Sequence, residues 1–167
     1  MMDVRQGRVP TKFVRPLVIA HVAATLFMVG LIWTIHVVHY PLFADVGAST
    51  YVDYQSAHVD RIGLLLAFPW LLEGLTLLGV LILAVERRDL RIPTLVGAIA
   101  MAAVLVISGF WSAPAHGELA DGFDAAVHDR LMTANLVRTL AWTICGASSV
   151  WVLTRVWVRE TESHRRV

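Results

Sequence analysis

The chain has 167 residues, of which 57% are hydrophobic and 16% carry a formal charge, and its mean hydropathy is +0.65. Because soluble domains have about a quarter of their residues charged, this composition favours an integral membrane protein, and it excludes an intrinsically disordered chain. The formal net charge of +1 excludes a nucleic-acid-binding domain, and the single cysteine, Cys145, excludes a disulfide framework.

Four apolar segments of the sequence are each long enough to cross about 30 Å of hydrocarbon at about 1.5 Å of helical rise per residue. None alternates in polarity as a barrel strand would, so each is predicted to be a helix, which satisfies its own backbone hydrogen bonds in lipid. The sequence therefore predicts an all-α, multi-pass protein with a single transmembrane domain, an integral membrane four-helix bundle. The predicted spans are 16–40, 63–85, 93–113 and 131–158.

The distribution of Lys and Arg predicts the orientation of the bundle. These residues concentrate before the first span, between the second and third, and after the fourth, whereas the other two connections contain only Arg61 and Arg130. Because Lys and Arg mark cytoplasmic loops, both termini, with tails 1–15 and 159–167, are predicted to be cytoplasmic, in the cell (inner) membrane. The residues are Arg5, Arg8, Lys12, Arg15, Arg87, Arg88, Arg91, Arg159, Arg165 and Arg166.

The two connections on the non-cytoplasmic side of the membrane are longer than tight turns require. Residues 49–58 are predicted to form a short helix, and the last helix is predicted to start near Asp121. A histidine followed within three residues by Asp and Arg precedes each even-numbered span, at His58 and at His128. This short echo favours an arrangement of two tandem helical hairpins.

Five of the seven histidines fall at the non-cytoplasmic ends of the spans, and each span contributes at least one. Several imidazoles can meet there if neighbouring helices pack about 8–10 Å apart. Imidazole ligates copper, iron and zinc, and two histidines on facing helices can hold a b-type haem, so a metal or haem site is predicted. The alternative is that amphipathic rings simply favour a membrane–water interface. The candidate ligands are His39, His58, His116 and His128. His36 shares a helix face with His39 and is a candidate substitute ligand. The carboxylates that would orient the histidine rings are Asp60, Glu118 and Asp129.

Polar residues also lie deep within two of the predicted spans. Glu73 is near the middle of the second span, where an acidic side chain costs about 2.5–3.5 kcal/mol to insert, so it should face the bundle interior and have a partner. Arg138 lies at a depth within about 5 Å of Glu73, and Asn135 is one turn from Arg138. We therefore expect a Glu73–Arg138 ion pair in a substrate or proton pocket. The alternative is a polar clasp that only fixes helix pairing.

Several short motifs carry a resemblance to known proteins. They are His39-Tyr40-Pro41-Leu42-Phe43, His58 with Arg61, Pro69 with Glu73, Pro114-x-His116, Gly122-Phe123-Asp124 with His128, and Asn135-Leu136-Val137-Arg138-Thr139 with Trp142. From Trp33 to Trp142 the chain resembles a group of small bacterial four-helix integral membrane proteins. Its last motif is distantly similar to the anthrone-oxygenase-like membrane family, whose members include proteins implicated in oxidising polycyclic aromatic substrates. The resemblance implies a membrane-embedded helical bundle, although the histidines here are more numerous than the second family implies.

Three interpretations fit these residues. The first is an oxidoreductase-type membrane enzyme whose histidines hold a metal with an open position for dioxygen or water. Glu73, Asn135 and Arg138 would then polarise a substrate oxygen or carry protons, and the partners would be the lipid bilayer and a small apolar or quinone-like substrate. The second is a non-enzymatic accessory subunit or small carrier with a structural polar core, and a third alternative is a bundle whose histidines bind nothing.

Overall fold

The structure is a computed structural model that describes residues 11–164, with side chains described from residue 12 to residue 159. Within these residues the chain is all-α, as predicted, and contains no β-strand. The basic residues Arg5, Arg8, Arg165 and Arg166 of the predicted tails lie outside the described residues. The α-helices are α1 (Thr11–Thr34), α2 (Tyr51–Glu86), α3 (Arg91–Ile107), α4 (Ala113–Leu119) and α5 (Ala125–His164).

Four helical stretches in the described part of the chain are long and apolar enough to cross a membrane, which confirms the predicted four-helix membrane bundle. Each stretch is longer than the span predicted for it. The 36 residues of α2 correspond to about 54 Å of helix, so the segment 49–58, predicted as a separate short helix, instead merges into the first turns of α2. The stretches are Lys12–Asp45, Tyr51–Glu86, Arg88–Leu119 and Ala125–Arg159.

Two of the stretches contain a wide π-helical turn near the same end of the bundle. One covers Ile35–His39 and continues α1, and the other covers Ser108–Ser112 and joins α3 to α4. A π turn places one more residue between hydrogen-bonded groups than an α turn does, so it rotates the following side chains relative to the preceding helix. After the first turn, Pro41 opens a 3-10 turn, Pro41–Asp45, that leads away from the helix axis.

Helix α5 packs against both α1 and α3, and α1 packs against α2. The order around the bundle is therefore α2, α1, α5, α3, and the ring closes through a smaller interface between α2 and α3. The larger apolar core includes Phe43 and Trp142 and extends toward the ends of the π turns, whereas the smaller core includes Val80 and Val156 at the opposite end.

Small residues allow α3 and α5 to approach closely near Gly97. A Cβ atom added at Gly97 would lie 2.6 Å from the Ser148 Oγ atom. Ser148 donates a hydrogen bond to the Pro93 carbonyl, and Cys145 Sγ lies 3.6 Å from the Gly97 carbonyl. Close backbone approach at small residues is a common basis of helix association in membranes.

The connection between α4 and α5 is set by two residues. Gly122 has a φ of +146°, a conformation that favours glycine and ends the preceding helical turns. Asp124 then caps α5, because its Oδ1 atom accepts a hydrogen bond from the Val127 amide at 2.9 Å. The last helix therefore begins at Ala125, and the predicted start near Asp121 is wrong by one turn.

Candidate functional site

Four of the five predicted ligands lie together at one end of the bundle, which we call the histidine end. These are His39, His58, His116 and His128, and all four rings lie against the buried ring of Phe43, at centroid distances between 5.0 Å and 6.5 Å. Phe43 comes from the 3-10 turn that follows the first π turn. The side chain that contacts every ring of the cluster is therefore an apolar phenyl group.

His39 and His58 form a direct hydrogen bond between α1's π turn and α2. The His39 Nε2 atom lies 2.8 Å from the His58 Nδ1 atom, and the ring centroids are 4.8 Å apart. When both rings are neutral, one nitrogen of this pair donates and the other accepts. The second nitrogen of His58, Nε2, is buried and has no hydrogen-bond partner.

His116 on α4 is held at both ring nitrogens. The Gln55 Nε2 atom lies 3.0 Å from His116 Nδ1, and the Tyr40 hydroxyl lies 2.8 Å from His116 Nε2. Because an amide Nε2 can only donate, His116 Nδ1 accepts, and the neutral ring carries its proton on Nε2 and donates it to the Tyr40 oxygen. The Arg138 guanidinium also interacts with this hydroxyl.

Tyr40 also binds the fourth histidine through its backbone. The His128 Nε2 atom donates a hydrogen bond of 2.9 Å to the Tyr40 carbonyl, and both residues are buried. A single residue at the end of the first π turn therefore contacts histidines from α4 and α5. It reaches one through its hydroxyl and the other through its carbonyl.

His36 does not join the cluster, so its predicted place beside His39 is wrong. Its ring makes an edge contact with Trp33 at 6.4 Å, and its Nδ1 atom is buried without a hydrogen-bond partner. The expectation assumed α-helical geometry, in which residues three apart share a face. Both histidines lie within the π turn Ile35–His39, where the wider turn separates them around the axis.

The carboxylates predicted to orient the histidines lie elsewhere. Glu118 accepts from Arg130 at 2.6 Å on the exposed surface, and the side chains of Asp60 and Asp129 are exposed. In the described residues, the groups that hold the rings are instead the phenol of Tyr40 and the amide of Gln55. Orientation by carboxylates is therefore a prediction that this structure corrects.

The predicted ion pair between Glu73 and Arg138 is not formed, because Trp142 lies between the two side chains. The Glu73 Oε2 atom accepts a hydrogen bond of 3.0 Å from the indole N–H of Trp142. The Arg138 guanidinium lies 5.4 Å from the centre of the same indole ring. A tryptophan N–H therefore serves as the acid's partner, and the guanidinium is directed toward the Tyr40 hydroxyl.

Several polar atoms in this interior have no partner. Both amide atoms of Asn135 are buried without a hydrogen bond, and so are the Oε1 atom of Glu73 and the Nε atom of Arg138. Asn135 and Glu73 are 0% exposed. A buried polar atom that lacks a partner costs about 1–3 kcal/mol, so these groups are candidates to contact a ligand or ordered water.

The residues present fit a metal ion incompletely. Residues 11–164 contain no group of three or more His, Cys, Asp or Glu side chains arranged to hold one. His116 uses both ring nitrogens in hydrogen bonds to the protein, and His128 uses its Nε2 atom. Of the predicted ligands, His39 and His58 are the two whose nitrogens face each other. Within the described residues, the cluster therefore offers a metal ion two histidine ligands, His39 and His58, and no third.

Two cavities adjoin the polar interior. One, of about 250 Å³, lies beside His39 and His58 at the histidine end. The other, of about 560 Å³, is an apolar groove between α2 and α3 that is lined in part by Trp70, Gly74 and Met101. The Trp70 ring contacts the Trp142 ring at 5.4 Å, so this groove leads to the indole that binds Glu73.

Comparison of the chain with protein-family models, with curated proteins and with solved structures finds no match. The function of the site therefore has to be inferred from its own residues.

Gln55 and Phe43 are site residues that the sequence did not single out. Gln55 precedes His58 by three residues, so the two share a face of α2, and Gln55 is 0% exposed. Gln55 lies in the segment 49–58, which was predicted to be a short helix in a connection between spans, so nothing in the sequence indicated this burial. Phe43 stands in the motif His39-Tyr40-Pro41-Leu42-Phe43, but an apolar residue gives no signal of contact with four histidines.

Proposed function

We propose that the interior of the histidine end binds a small lipid-soluble molecule with carbonyl or phenolic oxygens, as in quinones, and exchanges protons with it. The observation that carries this proposal is the set of unpartnered atoms on Glu73, Asn135 and Arg138. Oxygens of a bound molecule can accept from Asn135 and Arg138, and a hydroxyl can donate to Asn135 or Glu73. A ligand that pairs with these groups would offset the cost of burying them.

The side chains around these polar atoms support a flat apolar ligand. Asn135, Arg138 and Trp142 follow one another at spacings of three and four along α5, so they share one face. Trp142 and Trp70 add broad aromatic surfaces beside the polar atoms. The groove between α2 and α3 gives such a molecule a route from the hydrocarbon region, since its lining is apolar.

Proton exchange is supported by the hydrogen bonds around Tyr40. The chain of contacts runs from Gln55 through His116 to the Tyr40 hydroxyl, which also interacts with Arg138. Imidazole and phenol groups can each give up and accept a proton, and Arg138 holds positive charge beside them. These residues would supply the acid–base half of an oxidoreductase that acts on a quinone or phenol.

We also propose that the protein is related to small bacterial four-helix membrane proteins and, more distantly, to the anthrone-oxygenase-like family. The motif from Asn135 to Trp142 that carries the second likeness supplies three of the residues in the interior described above. The inner membrane, with cytoplasmic termini, is the location that the charge distribution supports. Arg87, Arg88, Arg91 and Arg159 lie at the bundle end opposite the histidines.

Quenching of tryptophan fluorescence by a short-chain quinone tests the proposed binding. The protein in detergent is titrated with decyl-ubiquinone, and we expect saturable quenching through Trp70 and Trp142. Asn135→Leu keeps a similar volume but removes both unpartnered amide atoms, so it should weaken binding at least fivefold without loss of stability. Ser149→Ala, at a buried hydroxyl of α5 that donates only to the Gly146 carbonyl, is the control and should bind normally. Equal affinities in all three proteins would contradict the proposal.

Metal binding by His39 and His58 is a second candidate function. His39 Nε2 and His58 Nδ1, which lie 2.8 Å apart, are the two facing ring nitrogens that would bind a metal ion in place of their shared hydrogen bond. Elemental analysis of the purified protein, with His58→Phe as the comparison, tests it. Stoichiometric copper, zinc or iron in the wild-type protein that is lost in His58→Phe would support metal binding. Absence of these metals from both proteins would rule out this function.

A further inference from the structure

A cavity between the first π turn and α2 is lined by several side chains that can donate hydrogen bonds. His39, Tyr54, His58 and Arg61 line one part of it, and Ile62 and Leu65 line the part nearer the centre of the bundle. Its volume is about 250 Å³. Tyr54, His58, Arg61, Ile62 and Leu65 follow spacings of three and four, so they share a face of α2.

The charged side chain that lines this cavity is positive. Arg61 is exposed and forms no ion pair within the described residues, and no carboxylate lines the cavity. His58 is 6% exposed, and its Nε2 atom is buried without a partner. If His39 donates to His58 Nδ1, the His58 proton lies on Nε2, on a ring that lines the cavity together with Arg61 and Tyr54.

We propose that this cavity binds the phosphate of an anionic phospholipid, with Arg61 as the charged contact and His58 and Tyr54 as neutral donors. A guanidinium favours phosphate oxygens because its N–H groups match them in geometry and charge. The apolar side of the cavity continues onto a strongly exposed surface of α2, where Leu64 is 82% and Phe68 is 72% exposed. That surface would contact the acyl chains, which favours a lipid over a free phosphate ion.

This site is separate from the interior proposed to bind a quinone. Its donors lie on the α2 face that meets the π turn, whereas Asn135, Arg138 and Trp142 lie on α5. The two sites approach each other where the His58 ring of this cavity lies 6.0 Å from the Tyr40 ring, whose hydroxyl belongs to the interior site. Loss of lipid binding therefore leaves the quinone titration as an independent measurement.

Lipid binding is measured by native mass spectrometry on the full chain in detergent, with phosphatidylglycerol and phosphatidylcholine added at equal concentrations. We expect phosphatidylglycerol to bind preferentially, and Arg61→Gln to weaken its binding about tenfold or more. Ala57→Leu, which keeps every charge but fills the cavity that Ala57 also lines, should have the same effect. Arg130→Gln is the matched control, because Arg130 lies at the same end but pairs with Glu118 on the surface.

Two results would overturn the proposal. One is equal affinity for phosphatidylglycerol in the wild type, Arg61→Gln and Ala57→Leu proteins. The other is displacement of the lipid by millimolar inorganic phosphate, which would assign the cavity to a free anion. Retention of phosphatidylglycerol in the presence of phosphate, with loss in both cavity variants, supports a lipid site.

Discussion

The carboxylate of Glu73 and the indole of Trp142 form a hydrogen bond of 3.0 Å across the bundle, from α2 to α5. These helices are not neighbours in the order α2, α1, α5, α3, so the bond joins diagonally opposed elements. It gives the buried acid one partner and leaves its second oxygen, Oε1, without one. The acid is therefore anchored by Trp142 at one oxygen, and the Thr25 hydroxyl of α1 is a further polar group that interacts with it.

We expect Trp142→Phe to destabilise the protein by about 1–3 kcal/mol beyond the loss of ring volume, because it leaves Glu73 without its donor. A double-mutant cycle with Glu73→Leu separates the hydrogen bond from the change in packing. Thermal unfolding in detergent provides the measurement. Trp33→Phe is the control, since Trp33 donates to Thr143 at an exposed site and should cost less. A coupling energy near zero between positions 73 and 142 would contradict the assigned bond.

The sequence predicted the bundle because its signals are local. Twenty or more apolar residues specify a spanning helix wherever the neighbours lie, and topology alone then places the histidines at a common depth. The rotation of each side chain about its helix is not local. The π turn Ile35–His39 separated His36 from His39, and depth counting for Glu73 and Arg138 gave no sign that Trp142 stands between them. Gln55 was missed because α2 extends further than its apolar residues indicate.

Tyr40 and Tyr51 are both buried, but we expect removal of their hydroxyl groups to have different effects on stability. The Tyr40 hydroxyl contacts His116 and Arg138, whereas the Tyr51 hydroxyl is buried without a partner. We expect Tyr40→Phe to cost about 1–3 kcal/mol, because His116 and Arg138 lose their acceptor, and Tyr51→Phe to be neutral or stabilising. The order of their thermal unfolding midpoints checks this. Equal midpoints would show that the Tyr40 hydroxyl contributes nothing to the cluster.

The orientation of the bundle is tested by cysteine labelling in intact cells. In a Cys145→Ala background, single cysteines replace Asp121 at the histidine end and Arg88 at the opposite end, both exposed positions. Because Arg-rich loops stay in the cytoplasm, we expect a membrane-impermeant maleimide to label Asp121→Cys before lysis and Arg88→Cys only after it. Labelling in the reverse order would place the termini outside.

The approach of α3 to α5 gives a further prediction about Gly97. A Cβ at this position would meet Ser148 Oγ at 2.6 Å, and that hydroxyl is fixed by its bond to the Pro93 carbonyl, so it cannot turn away without losing the bond. We expect Gly97→Ala to lower stability by about 1–3 kcal/mol, the usual cost of overpacking a tight core. Gly74→Ala is the matched control, because a Cβ there meets nothing within 4 Å and should leave stability unchanged or raise it. Adding Ser148→Ala removes the clashing oxygen, so it should recover part of the loss at Gly97. A Gly97→Ala protein as stable as Gly74→Ala would mean that α3 and α5 lie further apart than the contact between Gly97 and Ser148 requires.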